Sequence, residues 1–330
     1  MGIKAYIPEN QFRYYYTLLP SSEQNVYSDL VEGLSSFKSS IRCIGCDVSR
    51  IQTIYQYLRL DIPELFYIKS VSVRYSPVIK SMCTVLPEYR FDVSTVENIL
   101  LAMQAKADQL KPKLICKSEL DKEVAIHNLL AGSVQYRDLD APYSHEAPGG
   151  LLYGIGVCEG ISKAFKYLAD RVGLKSLVAT GMGNDHGNEE GHAWNMCQIG
   201  NRWYHLDVTF DSTIADGCAR YDYFNLSDTE ISTNHSWTDT LPNSGSGMNY
   251  YNMLGMYFDS QKKLGYYLRC QPKEVKTIVF QLPRFGCAQQ PLIDAVRDTV
   301  KNNIRCGLFE TRRFSISYNL NRMVFQVDFL

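Results

Sequence analysis

The sequence predicts an α+β fold, and three observations carry that prediction. A glycine-rich turn, GIGVCEG, runs into a helical pattern over residues 158–172. Residues 192–198 and 202–208 read as two strands around Gly200-Asn201, a two-residue hairpin signal. Residues 314–318 and 323–329 read as a second hairpin, around Asn319-Leu320-Asn321. The expected architecture is a helix bearing Cys158 packed on an antiparallel sheet, at 118–240. A mostly helical region with a short strand, 1–117, precedes it, and a small α+β appendage, 248–330, follows it.

In the N-terminal region, Ser21-x-x-Gln24 predicts a capping box for a helix over 21–37, with Val26, Leu30 and Leu34 on one face. Ile51, Ile54, Tyr55 and Leu58 mark a second helix, stopping before Asp61-Ile62-Pro63. Val71, Val73 and Tyr75 alternate with polar residues, as on a half-buried strand. Ser94-x-x-Glu97 predicts the cap of a third helix, with Val96, Ile99, Leu100 and Met103 on one face. A fourth helix is expected over 118–131.

The stretch 135–150 holds Pro142, Pro148, Gly149 and Gly150 and reads as loop. In the helix after Cys158, Ile161, Ala164, Phe165, Leu168 and Val172 form the apolar stripe, and Gly173 is placed as the C-terminal cap. Residues 177–180 read as a short buried strand. Residues 181–191 are polar and glycine-rich and read as a mobile loop. A further polar linker is expected at 239–247.

Composition excludes several classes. The 330 residues are 45% hydrophobic and 21% charged, with a formal net charge of −1. No broad basic surface for nucleic acid or anionic lipid is expected. The N-terminus lacks a charged segment followed by an apolar one, Tyr6 breaks a myristoylation motif, and no apolar stretch reaches membrane-spanning length. A cytoplasmic protein with reduced thiols is expected from its ten cysteines. Cys43 and Cys46 form a CxxC, but no second pair completes a zinc site, so they read as ordinary buried thiols.

Cys158, His192 and Asp207 are the candidate chemistry. A thiol at a helix N-terminus meets the positive end of the helix dipole, and the free N–H groups there could hold an oxyanion. With a two-residue turn, Ile199 pairs with Arg202, His192 faces Thr209 and Trp194 faces Asp207. His192 and Asp207 then share a sheet face as diagonal neighbours, roughly 7–8 Å between Cα atoms. A three-residue loop would put them on opposite faces. His205 has the same parity as Asp207 but lies nearer the turn, so it ranks below His192 as base.

The ordered motifs GVCEG, GHAWN and YHLDVTFD resemble the core of the transglutaminase-like superfamily, papain-like α+β cysteine enzymes. SHEAPGGLLYG before the cysteine, YDYFNLSD at 221–228 and His235-Ser236-Trp237 resemble its bacterial members. The resemblance covers about residues 120–240. It implies a Cys158, His192, Asp207 triad, and often a second oxyanion donor upstream of the cysteine. Gln135, Tyr143 and Tyr153 are the upstream candidates, and Trp194 is a candidate support beside the base. The loop around Asp185, His186 and Glu189 lacks calcium-loop spacing and reads as a lid, so neither metal nor cofactor is expected.

The expected reaction is acyl transfer at an amide carbonyl through a thioester on Cys158. The partner is a peptide or protein, with water or an amine as acceptor. Hydrolysis is favoured slightly, because no amine-binding carboxylate cluster is visible in the sequence. A silent scaffold of the same fold is the alternative.

Overall fold

The computed structural model describes residues 3–45, 47–75, 82–114, 117–139, 143–185, 187–214, 218–284, 289–305 and 313–330. After a short helix, α1 (Tyr14–Thr17), helix α2 spans Ser21–Ser35 and buries Val26, Leu30 and Leu34 as expected. The expected capping box does not form. Pro20 occupies the cap position, and Ser21 is already helical.

A three-stranded antiparallel sheet follows, from β1 (Ile41–Ile44), β2 (Ile68–Tyr75) and β3 (Met82–Tyr89), in the order β1-β3-β2. The expected strand at Val71, Val73 and Tyr75 is part of β2, and β1 and β3 join it as further strands. Cys43 sits opposite Cys83 in this sheet, and both are buried. Cys46 lies outside the described residues. Helix α3 (Val48–Asp61) starts on Asp47, whose carboxylate accepts from the Arg50 N–H. Helix α4 (Val93–Leu114) starts on Asp92, not on Ser94 as expected. The Asp92 carboxylate accepts from the Thr95 N–H at 2.9 Å and from the Ser94 hydroxyl. A charged acceptor at a helix start is the stronger cap. Helix α5 (Glu119–Ser133) starts on Ser118.

The expected loop 135–150 is partly ordered. The two-residue strand β4 (Gln135–Tyr136) pairs in parallel with β5 (Ile155–Gly156), and Gly149–Tyr153 forms a π-helical turn. Helix α6 (Cys158–Val172) has the expected bounds, and Gly173 caps it at φ 71°. Its surroundings differ from expectation. The helix is buried on nearly all sides, and Lys163 and Lys166 are 0% exposed. Each ammonium is paired. Lys166 Nζ lies 2.6 Å from both Asp170 oxygens and 2.8 Å from the Phe12 carbonyl. Lys163 Nζ lies 2.8 Å from Glu146 and from Glu159. A buried cation without such partners would be strongly destabilising.

The main sheet has five antiparallel strands in the order β10-β6-β7-β8-β9. These are β6 (Ser176–Asp185), β7 (Asn188–Ile199), β8 (Arg202–Leu206), β9 (Phe224–Leu226) and β10 (His235–Ser236). The expected mobile loop 181–191 is therefore the outer half of a hairpin, paired as far as Asp185 and Asn188. Glycine-rich polar composition misread it, because an antiparallel hairpin satisfies its own backbone without apolar side chains. Helix α6 is tied to β7: the Ser162 hydroxyl donates to the Ala193 carbonyl, and Asn195 donates to the carbonyls of Ser162 and Leu177. Short helices α7 (Val208–Thr213) and α8 (Asp228–Ile231) follow β8 and β9.

After α9 (Tyr250–Met253), the appendage packs α10 (Gln261–Arg269) and α11 (Gln289–Arg305) on β11 (Thr277–Gln281), β12 (Phe314–Asn319) and β13 (Val324–Phe329). It has its own apolar cluster around Phe280, Val300 and Phe325. A larger cluster runs continuously from Ile3 through α6 to Phe224, joining the N-terminal elements to the Cys158 helix. The C-terminal hairpin is as expected, with a turn one residue longer than the expected three: Asn319 pairs with Val324. No helix among the described residues is long and apolar enough to cross a membrane.

Gly160 lets the segment 143–146 cross the first turn of α6. A Cβ there would lie 2.3 Å from the Ser144 carbonyl oxygen, a backbone atom that cannot swing away. Gly160→Ala is expected to lower stability by about 2 kcal/mol, measured by urea denaturation.

Candidate active site

Cys158 is the first residue of α6, after Val157 in extended conformation. Its backbone N–H and those following point out of the helix end, where an oxyanion could be held. The thiol is partly buried and free.

The two-residue turn at Gly200-Asn201 forms, with Ile199 opposite Arg202. The even register carries outward to Asn195 opposite Leu206, so Trp194 and Asp207 are next in line. Strand β8 stops at Leu206, and Asp207 becomes the N-cap of α7. Its carboxylate is fully buried and accepts three hydrogen bonds. Oδ1 accepts from the Phe210 N–H at 3.0 Å. Oδ2 lies 2.7 Å from His192 Nε2 and 3.0 Å from His235 Nε2. Cys158 lies close enough to the same His192 ring to help hold its charge. With Nε2 committed to Asp207, Nδ1 is the nitrogen left for the sulfur. The structure thus brings Cys158, His192 and Asp207 together.

Gly183 makes room for this ring. A Cβ at Gly183 would lie 3.0 Å from His192 Cβ and Cγ. Trp194 is fully buried and lies beneath His192, with ring centroids 6.1 Å apart. Its indole N–H donates to His205 Nδ1 at 3.0 Å, so Trp194 packs beneath the His192 ring and offers no hydrogen to the thiol's side. His205 is buried between Trp194 and Asp228, bonded to both. It serves the packing beside the base.

Charge is distributed unevenly over the group. Burial would lower the His192 pKa, but the Asp207 charge and hydrogen bond, with Cys158, raise it to about 10. Burial would raise the Asp207 pKa, but His192 and His235 hold it well below the usual carboxylate range. The His192 contribution to stability is therefore complete below about pH 6.5 and is lost as pH rises through about 10. The Asp207 contribution is present above about pH 4 and is lost as pH falls below the carboxylate range. His235 is different: burial lowers its pKa, outweighing Asp207. Its Nδ1 lies 3.0 Å from Asn234 Oδ1 and its Nε2 3.0 Å from Asp207, so a neutral ring has one hydrogen for two acceptors. The charged acceptor makes the stronger bond.

The other expected residues are dispersed. Gln135 and Tyr136 are neighbours on β4 and point to opposite sides. Tyr136 borders the cavity at His192, and burial, then the Cys158 charge, push its phenol up to about 12. Tyr136, rather than Gln135, faces the thiol. Tyr153 stacks on Tyr143, which stacks on Phe91, away from the cleft. Asp185 ends β6, Glu189 lies on β7, and His186 lies outside the described residues. Sequence reasoning missed Tyr136 and the role of His235. Strand parity would have found Tyr136, had β4 been recognised. His235 comes to Asp207 because β10 pairs with β6, an edge pairing that sequence order does not reveal.

The cavity at His192 is about 190 Å³, lined by Tyr136, Glu190, His192, Thr209 and Phe210 among others. Larger cavities lie along Glu9–Lys175, about 620 Å³, and under α10 and α11, about 320 Å³, but neither touches the three residues. Among the described residues, His192, Asp207 and His235 are the one cluster with ligand atoms within 4.8 Å of one another. A divalent ion there would displace the hydrogens given to Asp207 and occupy the base.

Two outcomes follow from this geometry. In Asp207→Asn the His192 pKa falls from about 10 to near or below 6.5, read from imidazole NMR titration. Micromolar zinc slows alkylation of Cys158 by iodoacetamide, and a chelator restores the rate.

Residues 108–208 match the family profile of the transglutaminase-like superfamily. No curated protein matches the chain. Among solved structures, a candidate cysteine protease from Cytophaga hutchinsonii is 16% identical, with a TM-score of 0.27, over 43% of this chain and 65% of that one. A structure described as a TGase is 17% identical, with a TM-score of 0.27, over 61% of this chain and 57% of that one. In both cases less than two thirds of the solved chain is spanned. Cys158, His192 and Asp207 all lie within residues 108–208, the part of the chain that matches the transglutaminase-like superfamily.

Proposed function

We propose that this chain is a cysteine-dependent acyl-transfer enzyme acting on peptide or protein amides. One observation carries the reading: a thiol at a helix N-terminus adjoins a histidine whose Nε2 is 2.7 Å from a buried carboxylate. His192 takes the Cys158 proton, and the sulfur adds to the amide carbonyl carbon. The oxyanion is received by N–H groups at the start of α6 and by the Tyr136 hydroxyl. The C–N bond then breaks, His192 gives its proton to the leaving amine, and a thioester remains on Cys158. The acceptor gives a proton to His192, attacks the thioester carbon and releases the thiolate. Asp207 keeps the ring oriented and balances its charge throughout. A reducing compartment, the cytosol, suits a nucleophile that must stay a free thiol.

A second reading of the acceptor has support of its own. Glu190 borders the cavity at His192, two residues before it on the same strand face. An exposed carboxylate beside the base suits a primary amine, which favours transamidation over the hydrolysis expected from sequence. The alternative of a silent scaffold gives no role to the aligned Cys158 and His192.

The test is product analysis by mass spectrometry of a peptide library containing glutamine, incubated with and without a primary amine. Coupled or hydrolysed products are expected from the wild type and none from Cys158→Ala. Their absence from the wild type would leave the scaffold reading. His192→Ala is expected to lower turnover by roughly 10²–10⁴-fold. If the amine reading holds, Glu190→Gln raises the KM for the amine and leaves the rate of Cys158 alkylation unchanged.

A further inference from the structure

The cavity at His192 does not end at α7. Phe210 and Thr213, which line it, also line a neighbouring cavity of about 340 Å³. Its far wall comes from the C-terminal appendage: Tyr318, Asn319, Leu320 and Asn321, at the turn between β12 and β13. The groove therefore runs from the base of the candidate active site to a part of the chain that has no role in the chemistry.

Buried groups hold that turn in place. Arg322, 4% exposed, donates from Nε to the Asp222 carbonyl at 3.1 Å and from Nη1 to the Glu230 carbonyl. Asn319 Nδ2 donates to Asp222 Oδ2 at 3.1 Å. Arg220 Nη1 donates to Gln326 Oε1 at 3.1 Å. These bonds join appendage to core through groups that would be costly to leave unpaired. Tyr318 is not needed for that joint: it is 45% exposed. A rigidly anchored wall carrying an open aromatic ring is how a recognition surface is built.

The direction of the substrate follows from the base. His192 hands a proton to the departing nitrogen and takes one from an entering nucleophile, so that nitrogen must lie on the His192 flank. The chain carrying the nitrogen leaves along the same flank. We propose that Tyr318 and Leu320 recognise the amine-side segment of the substrate, an extended peptide with an apolar or aromatic side chain beyond the reacting nitrogen. The inference rests on the acyl-transfer reading. Ile214, Tyr223, Tyr318 and Leu320 offer the apolar faces, and Asn184 offers an amide to a peptide backbone.

The test compares wild type, Tyr318→Ala and Leu320→Ala on a mixed peptide library, with and without amine-bearing peptides. Products are sequenced by mass spectrometry, and thermal melts confirm that the variants fold. Each variant is expected to lose about tenfold in kcat/KM for substrates with an apolar side chain on the amine side. Preferences on the acyl side stay as in the wild type. If the wild type reacts and both folded variants keep its amine-side profile, the groove assignment is wrong and the acyl-transfer reading stands. If the wild type reacts with nothing, the acyl-transfer reading fails and the groove assignment falls with it. Should Leu320→Ala not fold, the exposed Tyr318→Ala decides alone.

Discussion

The burial of α6 on nearly every side is the constraint from which the rest is arranged. A helix that starts with the candidate nucleophile must be held to a fraction of an ångström against the strand that carries the base. Two lysines in its middle turns raise the demand, because each buried ammonium needs anionic or carbonyl partners nearby. Lys166 finds them on its own helix and at Phe12, which draws the N-terminal segment onto the core. Lys163 finds them at Glu146 and Glu159, and Arg59 joins the same pair of carboxylates from α3. The segment before Cys158, the N-terminal helices and α6 are thereby one electrostatic and apolar unit. The shared cluster from Ile3 to Phe224 expresses the same fact in packing.

Asp207 plays the corresponding part on the sheet side. Its three hydrogen bonds come from a backbone amide and two histidine rings, and none comes from solvent. A carboxylate so held stays ionised although fully buried, which in turn keeps His192 strongly basic. Position at the end of β8 is what permits this. One residue earlier, the carboxylate would point away from His192; one residue later, it would lie inside α7 and could not cap it.

Much of the site was legible because it is governed by short-range periodicity. The helix stripe from Ile161 to Val172 and the cap at Gly173 fix α6, and the two-residue turn at Gly200-Asn201 fixes the parity that joins His192 to Asp207. What was not legible depends on pairing at a distance. β10 meets β6 across about fifty residues of intervening chain, so His235 carried no visible role. β4 is two residues long and leaves no periodic trace, which hid Tyr136. The hairpin at 181–191 was misread because its glycines and polar side chains resemble loop composition, while its order comes from backbone pairing with the partner strand. Lys163 and Lys166 lie on what reads as a solvent face, since no local pattern shows that Glu146 and Phe12 come to meet them.

His235 is reached late in the chain, and that has a consequence for how the molecule comes into being. A nascent chain that has emerged as far as Asp207 contains Cys158, His192 and Asp207, yet the β10 edge that supplies the second ring to Asp207 has not been made. Until it arrives, the carboxylate has one histidine instead of two and an unpaired strand edge beside it. The wall formed at 318–321 is later still. Synthesis in this order yields the thiol before the surroundings that bury it, so a ribosome-bound intermediate would be the form most open to oxidation at Cys158.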